Sequence, residues 1–203
     1  MDEYTSSTYG DRIADEYDRY YPVHNAAMIA TLKRLAGAGP ALELGIGTGR
    51  VALPLLEAGV TVHGIDSSEA MVARLRAKPG GGRIPVHIGD FADVGVEGRF
   101  SLVYVVFNTI FALLTQADQV RCFQNIARHL ASGGAFALEA FVPDLCRFPG
   151  GQNIRTVAQG DGEVRLDVTQ LDLATQAVTA HHLVLSSTGI RLHPVKLRYA
   201  WPA

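Results

Sequence analysis

A glycine-rich turn between a predicted strand and a predicted helix constrains the fold of this chain more than any other feature. The segment Glu43–Arg50 reads ELGIGTGR. Its glycines let the backbone turn sharply and let a ligand approach without a Cβ in the way, and the outgoing helix offers free N–H groups. Asp66 follows Gly45 by 21 residues, at the end of the next predicted strand, where a carboxylate accepts hydrogen bonds from a ribose diol. The sequence therefore predicts a site for a nucleoside-bearing cofactor at the carboxyl ends of the strands.

The spacing of this turn argues against the commonest nucleotide cofactors. Arg50 stands where the dinucleotide fingerprint G-x-G-x-x-G has its last glycine, which disfavours NAD and FAD. The chain also contains no G-x-x-x-x-G-K-[ST], so a P-loop is excluded. Acidic Glu43 before the turn suits a cofactor that carries an ammonium group rather than a pyrophosphate.

Short apolar runs alternate with helical patterns on both sides of this turn, which predicts a doubly wound, mostly parallel sheet of the Rossmann-like α/β class. The predicted strands are Ala41–Leu44, Thr61–Ile65, Val86–Ile88, Phe100–Phe107 and Ala135–Phe141. The predicted helices are Gly10–Tyr21, Val23–Leu35, Val51–Ala58, Ser68–Lys78 and Gln116–Leu130. We expect three parts: a helical lid over 1–36, a cofactor-binding core over 37–142, and a different architecture over 143–203.

The last part reads as an antiparallel β meander. Its predicted strands are Asn153–Ala158, Val164–Leu173, Ala177–Ser186 and Leu192–Ala200, with no helical pattern between them. Val164, Leu166 and Val168 alternate with polar residues, a pattern typical of a strand with one buried face. We expect the meander to cap the substrate or to form an oligomer interface.

Composition narrows the partners and the compartment. The 203 residues carry a net charge of −2, so no basic surface points to nucleic acid. The apolar runs are too short to span a membrane, and two cysteines allow no disulfide framework and no four-cysteine zinc site. These features predict a soluble, cytoplasmic protein without a metal centre.

Five segments in order resemble the class I S-adenosylmethionine-dependent methyltransferases, over roughly Leu35–Phe141. They are Glu43–Gly49 (ELGIGTG), Gly64–Met71 (GIDSSEAM), Gly89-Asp90-Phe91, Phe107-Asn108-Thr109 and Leu130–Gly134 (LASGG). Tyr9, Tyr17 and Tyr21 resemble the aromatic N-terminal lid of the small-molecule branch of that family. Methylation of nucleic acid is disfavoured, because Asn108–Phe111 (NTIF) is not the N/D-P-P-Y/F motif of amino-directed base methyltransferases. The resemblance implies S-adenosylmethionine as cofactor and a small-molecule methyl acceptor.

The resemblance also implies a role for each matching residue. Glycines 45, 47 and 49 admit the methionine part and the sugar, and Glu43 lies near the amino group. Asp66 takes the ribose hydroxyls, while Asp90 bonds the adenine amino group. The remaining expected cofactor contacts are Thr48, Ser67, Met71, Gly89, Phe91, Phe107, Asn108 and the aromatic lid residues Tyr9, Tyr17 and Tyr21.

One departure from the family concerns the end of the sheet. The family continues after the fifth strand with a helix and two further strands, whereas this chain ends at Ala203 with the meander, so it looks C-terminally truncated. An uncovered run such as Ala135–Phe141 is a pairing hazard. The meander covers this edge, or a partner chain does, or the domain is marginally stable; a homodimer through the meander or the exposed edge is one of these alternatives.

The sequence shows no catalytic constellation. His181 and His182 are candidates for a general base because the meander is expected to roof the cofactor, but adjacent strand residues point to opposite faces and cannot chelate one metal together. Glu139 either lines the substrate site or is a buried, paired carboxylate.

Methyl transfer to oxygen, nitrogen or carbon is the favoured function. The alternatives are a cyclase-like enzyme that does not methylate and a non-catalytic module on the same scaffold.

Overall fold

The computed structural model describes residues 4–21, 25–160 and 162–200. The helices are α1 Thr8–Ile13, α2 Tyr17–Tyr20, α3 Ala26–Ala36, α4 Ala52–Glu57, α5 Glu69–Arg76 and α6 Gln116–His129. The strands are β1 Ala41–Leu44, β2 Val62–Asp66, β3 Val86–Ile88, β4 Phe100–Val105, β5 Leu130–Leu138, β6 Gln152–Gly160, β7 Glu163–Leu171, β8 Ala177–Ser186 and β9 Gly189–Arg198.

The first five strands form one parallel sheet in the order β3-β2-β1-β4-β5. All four residues of β1 are buried, as expected of a central strand with both faces covered. The strand order reverses between β1 and β4, and ligands of such sheets bind outside the carboxyl ends at that point. The glycine turn leaves β1 there, so the predicted α/β class and the predicted place of the site are confirmed.

Helices cover both faces of the sheet. On one face, Leu32 and Ala36 of α3 pack with Leu55 of α4 against the sheet, so α3, which we expected to belong to the lid unit, packs as part of the core. On the other face, α6 contributes Cys122 and Ile126, and the inner residues of the meander complete the same cluster.

The lid consists of two short helices rather than the one predicted over Gly10–Tyr21. The helices α1 and α2 are separated by a turn at residues 14–16. Ile13 and Ala14 pack on Met71 of α5, and α1 also packs against β9. Val23, the predicted start of the following helix, lies outside the described residues, and that helix begins at Ala26 after the side chain of Asn25 caps it.

The fifth strand begins earlier than predicted. The segment Leu130–Gly134, expected to be a turn, is part of β5, and Leu130 pairs with Phe100. The register shifts between Phe100 and Leu102 because a bulge takes up the extra residues of the segment. A Cβ on Gly134 would lie 3.0 Å from the carbonyl oxygen of Phe100, so the glycine allows this close approach.

The meander forms a separate antiparallel sheet in the order β6-β7-β8-β9, as predicted. Its orientation is the reverse of what its apolar alternation suggests. Val178, Ala180 and Val184 of β8 are buried, and the residues of β7 that share their face are Arg165, Asp167 and Thr169. Val164, Leu166 and Val168 therefore lie on the outer face, since the inner face is adapted to a polar interior at the lid.

The free edge of β5 is not covered by the meander, because β5 pairs with β4 alone among the described strands. The rings of Phe123 on α6 and Phe136 on β5 meet edge to face, with centroids 5.5 Å apart, near this edge. Val120, Phe123 and Leu138 stay exposed. Of the three explanations offered for this edge, cover by the meander is wrong. The described residues contain no helix long and apolar enough to cross a membrane.

Candidate cofactor and acceptor site

Backbone geometry explains the glycines of the turn. Gly45, Gly47 and Gly49 all have positive φ (71°, 54° and 77°), which disfavours any residue with a Cβ. A Cβ on Gly45 would lie 2.5 Å from Thr109 Cγ2, whereas one on Gly47 would meet nothing within 4 Å. A Cβ on Gly49 would lie 2.2 Å from Leu75 Cδ1, so this glycine makes room for α5. Gly47 is thus the glycine that faces open space.

Glu43 lies beneath the turn as a buried carboxyl group. The hydroxyl of Tyr104, on the neighbouring strand β4, donates a hydrogen bond of 2.9 Å to Glu43 Oε2. Burial raises the pKa of Glu43 to about 8, although Tyr104 and Arg50 act in the opposite direction. A carboxyl group in this state changes its charge readily when a cation arrives beside it.

Asp66 ends β2 and organises the floor of the site. Its Oδ2 accepts a hydrogen bond of 2.7 Å from the N–H of Gly47, and its Oδ1 accepts one of 2.9 Å from Ser68. Burial raises the pKa of Asp66 in spite of these bonds and of a further one from the N–H of Ser67. The carboxylate therefore links the glycine turn to the start of α5, which Ser68 caps.

The segment after β3 lies next to Asp66. The N–H of Gly89 donates to the carbonyl oxygen of Asp66 at 2.9 Å. The side chain of Asp90 is exposed and accepts a hydrogen bond from Ala92, while Phe91 is buried in the main core. The structure thus brings these three predicted residues to the same edge as the glycine turn.

Phe107 and Asn108 form a strained corner after β4. Both have left-handed backbone conformations, with φ of 58° and 64°, which non-glycine residues adopt at an energetic cost and mainly at functional sites. Glu139 stabilises the corner, because its Oε2 accepts a hydrogen bond of 2.8 Å from the N–H of Phe107. Asn108 Oδ1 accepts another from Phe141. Glu139 is exposed, so the alternative of a buried, paired carboxylate is wrong.

The aromatic residues of the lid close over this corner. The ring of Tyr21 packs 4.9 Å from Tyr17 and 5.0 Å from Phe107. Burial, and then the neighbouring phenols, raise the pKa of Tyr9, and burial raises that of Tyr17 to about 12. Tyr9 and Tyr17 therefore stay neutral. Met71 packs against this lid cluster and not against the glycine turn.

Ion pairs and hydrogen bonds hold the lid down. Thr48 in the turn donates a hydrogen bond of 2.6 Å to Asp18 of the lid, and Lys78 pairs with the same carboxylate at 2.7 Å. On the meander side, Arg191 pairs with Glu16 at 3.3 Å. The cavity between lid and turn measures about 30 Å³, which is room for about one water molecule.

The histidine candidates of β8 lie on opposite faces, as predicted. His181 is on the outer face of the meander. His182 is on the inner face, where its ring packs 5.9 Å from that of Tyr9 and its Nδ1 lies 2.5 Å from Asp167 Oδ1. No group of three metal-binding side chains occurs within the described ranges.

Several site residues were missed from the sequence. Arg50 lies with its guanidinium 4.6 Å above the Phe107 ring, Tyr104 bonds Glu43, and Thr109 fills the space beside Gly45. Tyr104 could have been identified from the sequence, because a tyrosine within a fully buried strand needs a polar partner. No local pattern in the sequence identifies Asp167, since its partner His182 is 15 residues away on another strand.

The residues present fit a nucleoside cofactor with an ammonium group at its other end. Gly47 leaves space at the turn, Asp66 lies where a ribose diol binds in such folds, and Glu43 offers a carboxyl group whose charge can respond to a cation. The described residues 41–134 also match the family model described as a methyltransferase domain. The chain belongs to the S-adenosylmethionine-dependent methyltransferases.

Three methyltransferases are similar to this chain over most of its length. The solved structure of the CcbJ methyltransferase from Streptomyces caelestis has 41% identity and a TM-score of 0.89, covering 98% of this chain and 84% of that one. A dTDP-4-amino-2,3,4,6-tetradeoxy-D-glucose N,N-dimethyltransferase from Saccharopolyspora spinosa is 31% identical over 92% of this chain and 78% of its own. The cypemycin N-terminal methyltransferase from a Streptomyces species is 34% identical over 73% of this chain, and the match spans 61% of that protein.

Proposed function

We propose that this protein transfers a methyl group from S-adenosylmethionine to the amino nitrogen of a small molecule. The observation that carries this proposal is the cluster of Tyr9, Tyr17, Tyr21 and Phe107 above the turn. Aromatic faces attract cations, and this cluster already holds the guanidinium of Arg50 over Phe107. An aromatic enclosure of this kind suits both a sulfonium donor and an acceptor that carries a positive charge.

The names of two relatives support nitrogen as the acceptor atom. One is an N,N-dimethyltransferase of an amino sugar nucleotide, and the other methylates a peptide N-terminus. Both names place the methyl group on nitrogen at an amino group or an N-terminus. We infer that the acceptor of this chain has the same reacting group, while the remainder of the molecule differs.

We propose the following division of work at the cofactor. Glu43 pairs with the amino group of the methionine part, Gly45 and Gly47 leave room for it, and Asp66 exchanges its bond from Gly47 for the ribose hydroxyls. Asp90 and Phe91 bound the adenine. The chemistry that S-adenosylmethionine supplies when bound is an activated methyl group on a sulfonium.

The protein's own part in the reaction is alignment and exclusion of water. The strained corner at Phe107 and Asn108, fixed by Glu139, sets one wall of the site. The lid tyrosines close the opposite wall. Of these, Tyr9 and Tyr17 stay un-ionised, so they do not compete with the acceptor as nucleophiles.

The test is methyl transfer to matched pairs of acceptors. Purified protein is incubated with S-adenosylmethionine and a dTDP-linked 4-amino sugar, a dTDP-linked 3-amino sugar or a peptide with a free N-terminus, each beside its hydroxyl or acetylated counterpart. We expect S-adenosylhomocysteine only with free amines, and loss of turnover in Asp66→Asn. Conversion without S-adenosylhomocysteine favours a cyclase-like enzyme, and no cofactor binding by the folded chain favours a non-catalytic module.

We also propose that a second copy of the chain covers the outer face of the meander. Ile154, Ile190 and Leu192 are 70%, 65% and 55% exposed there, next to the half-buried Val164, Leu166 and Val168. None of these side chains is charged, so two copies can stack without opposing like charges.

A cytoplasmic setting also stays a prediction, supported by the two free thiols of Cys122 and Cys146.

A further inference from the structure

Four polar residues form a row across the inner face of the meander. Arg155 on β6 pairs with Asp167 on β7, Asp167 with His182 on β8, and His182 with His193 on β9. Directly paired residues of antiparallel strands point to the same face. Ala180 lies two residues before His182 on β8, so it shares this face, and its burial shows that the face is the inner one. The row therefore looks toward the lid and the carboxyl ends of the parallel sheet.

The centre of the row has the geometry of an oriented imidazole. His182 Nδ1 lies 2.5 Å from Asp167 Oδ1, and Arg155 Nη2 donates to Asp167 Oδ2 at 2.8 Å. Burial acts to raise the pKa of Asp167, but the bonds from His182 and Arg155 outweigh it and hold the pKa below its usual value. An ionised Asp167 selects the tautomer in which Nδ1 carries the proton and Nε2 is a free acceptor.

His182 is partly exposed and in contact with the lid. Its side chain is 29% exposed, and its ring meets that of Tyr9 at 5.9 Å. Tyr9 belongs to the same aromatic cluster as Tyr17 and Tyr21, and Tyr21 packs on Phe107 at the end of β4. A continuous set of contacts thus joins the imidazole to the corner beside the glycine turn.

The groups that face His182 come from four other elements. They are Asp167 on β7, Arg155 on β6, His193 on β9 and Tyr9 on α1. His193 is buried, with neither ring nitrogen hydrogen-bonded to a described residue, and Glu16 lies 3.6 Å from its Nε2. Burial lowers the pKa of His193, which favours a neutral ring beside His182.

We propose that His182 is the general base that removes a proton from the acceptor's ammonium group, and that Asp167 is its positioning residue. This inference rests on the proposed N-methyl transfer. The ammonium gives one proton to His182 Nε2, and the freed lone pair forms the N–C bond while the C–S electron pair passes to sulfur. The products are the protonated N-methyl amine, neutral S-adenosylhomocysteine and an imidazolium that returns its proton to solvent.

The kinetic test compares wild type with His182→Gln, Asp167→Asn and the matched control His181→Gln on the outer face. The acceptor is the amine with the highest turnover among those of the matched pairs above. At about pH 7 we expect kcat/KM to fall about a hundredfold in His182→Gln and less in Asp167→Asn. The deficit shrinks as the pH rises to about 10, since an ammonium group that has already lost its proton to solvent needs no base. A deficit that stays constant with pH overturns the proposal, because a structural role would give that result.

A second measurement tests the dyad without turnover. Long-range ¹H–¹⁵N spectra of histidine-labelled protein with S-adenosylhomocysteine identify the tautomer of His182, assigned by the signal that His182→Gln removes. We expect a protonated Nδ1 and a bare Nε2 at about pH 8. A protonated Nε2 in the neutral ring overturns the inference, even if the variants fold poorly. If wild type methylates none of the amines, the proposed function fails, and the tautomer still decides whether the base is preorganised.

Discussion

At the scale of single residues, we expect the charge of Glu43 to respond to the cofactor. It is buried under the glycine turn with the Tyr104 hydroxyl as its partner, and burial raises its pKa to about 8. An ammonium group beside it favours the carboxylate, so binding lowers this pKa and releases a proton. The affinity for S-adenosylhomocysteine should therefore rise about tenfold between about pH 6.5 and about pH 8 and then level off.

Calorimetric titration in buffers of different ionisation enthalpy measures both the affinity and the released proton. Glu43→Gln should bind more weakly at pH 8 and lose the dependence on pH. The free energy of unfolding depends on pH in the opposite direction from the binding affinity. The folded protein holds the Glu43 proton more tightly than the unfolded chain does, so Glu43 stabilises the fold fully below about pH 4.5 and this contribution is lost as the pH rises through about 8. The melting temperature of Glu43→Gln should therefore exceed that of wild type by a margin that grows as the pH rises from about 4.5 to about 8. An affinity of wild type that does not change over this range contradicts the assignment.

Residues that act through neighbours in the chain were predictable, and residues that act across strands were not. Gly45 and Gly47 lie in the turn between β1 and α4, and Asp66 and Ser68 lie at the junction of β2 and α5, where local spacing determines the geometry. Asp167 meets His182 only because of the register of β7 and β8. Such a register follows from the packing of the whole meander and leaves no local pattern.

At the scale of elements, the lid is held to the core by contacts that are easy to break. Asp18 accepts a hydrogen bond from Thr48 and pairs with Lys78, and its side chain is 46% exposed. Exposed ion pairs contribute about 1 kcal/mol or less. Asp18→Ala should therefore speed the release of S-adenosylhomocysteine about threefold, because the closed lid loses its contacts with Thr48 and Lys78.

Surface plasmon resonance measures these release rates directly. Asp144→Ala removes an ion pair with Arg147 outside the lid and should leave the rates unchanged. Equal rates in wild type and Asp18→Ala would mean that the lid does not limit exchange of the ligand.

The elements themselves were largely predictable, apart from their orientation and ends. Strand and helix periods located all five parallel strands and the four of the meander. The alternation in β7 could not say which face is inward, because its outer face is the apolar one and its inner face serves a polar site. The start of β5 was missed because a bulge accommodates the segment Leu130–Gly134 within the strand.

At the scale of the whole molecule, the apolar outer face of the meander is a surface without cover among the described residues. If a second copy covers it, Leu192→Asp should convert a dimer into a monomer, since a buried, unpaired charge at the interface is costly. Light scattering coupled to size exclusion gives the mass of each variant. Leu173→Asp, at an exposed turn position off this face, is the matched control and should stay dimeric. A monomeric wild type contradicts the proposal and leaves the free edge of β5 as the surface to examine.

The central claim is that the edge formed by the glycine turn, Asp66 and the lid binds S-adenosylmethionine and its product. Calorimetric titration of the purified chain with S-adenosylhomocysteine tests it most directly, with Asp66→Asn as the comparison. The account predicts saturable binding at about micromolar affinity or tighter, and loss of at least about tenfold in the variant. No heat of binding from a folded wild-type chain, or equal affinity in wild type and Asp66→Asn, would contradict it.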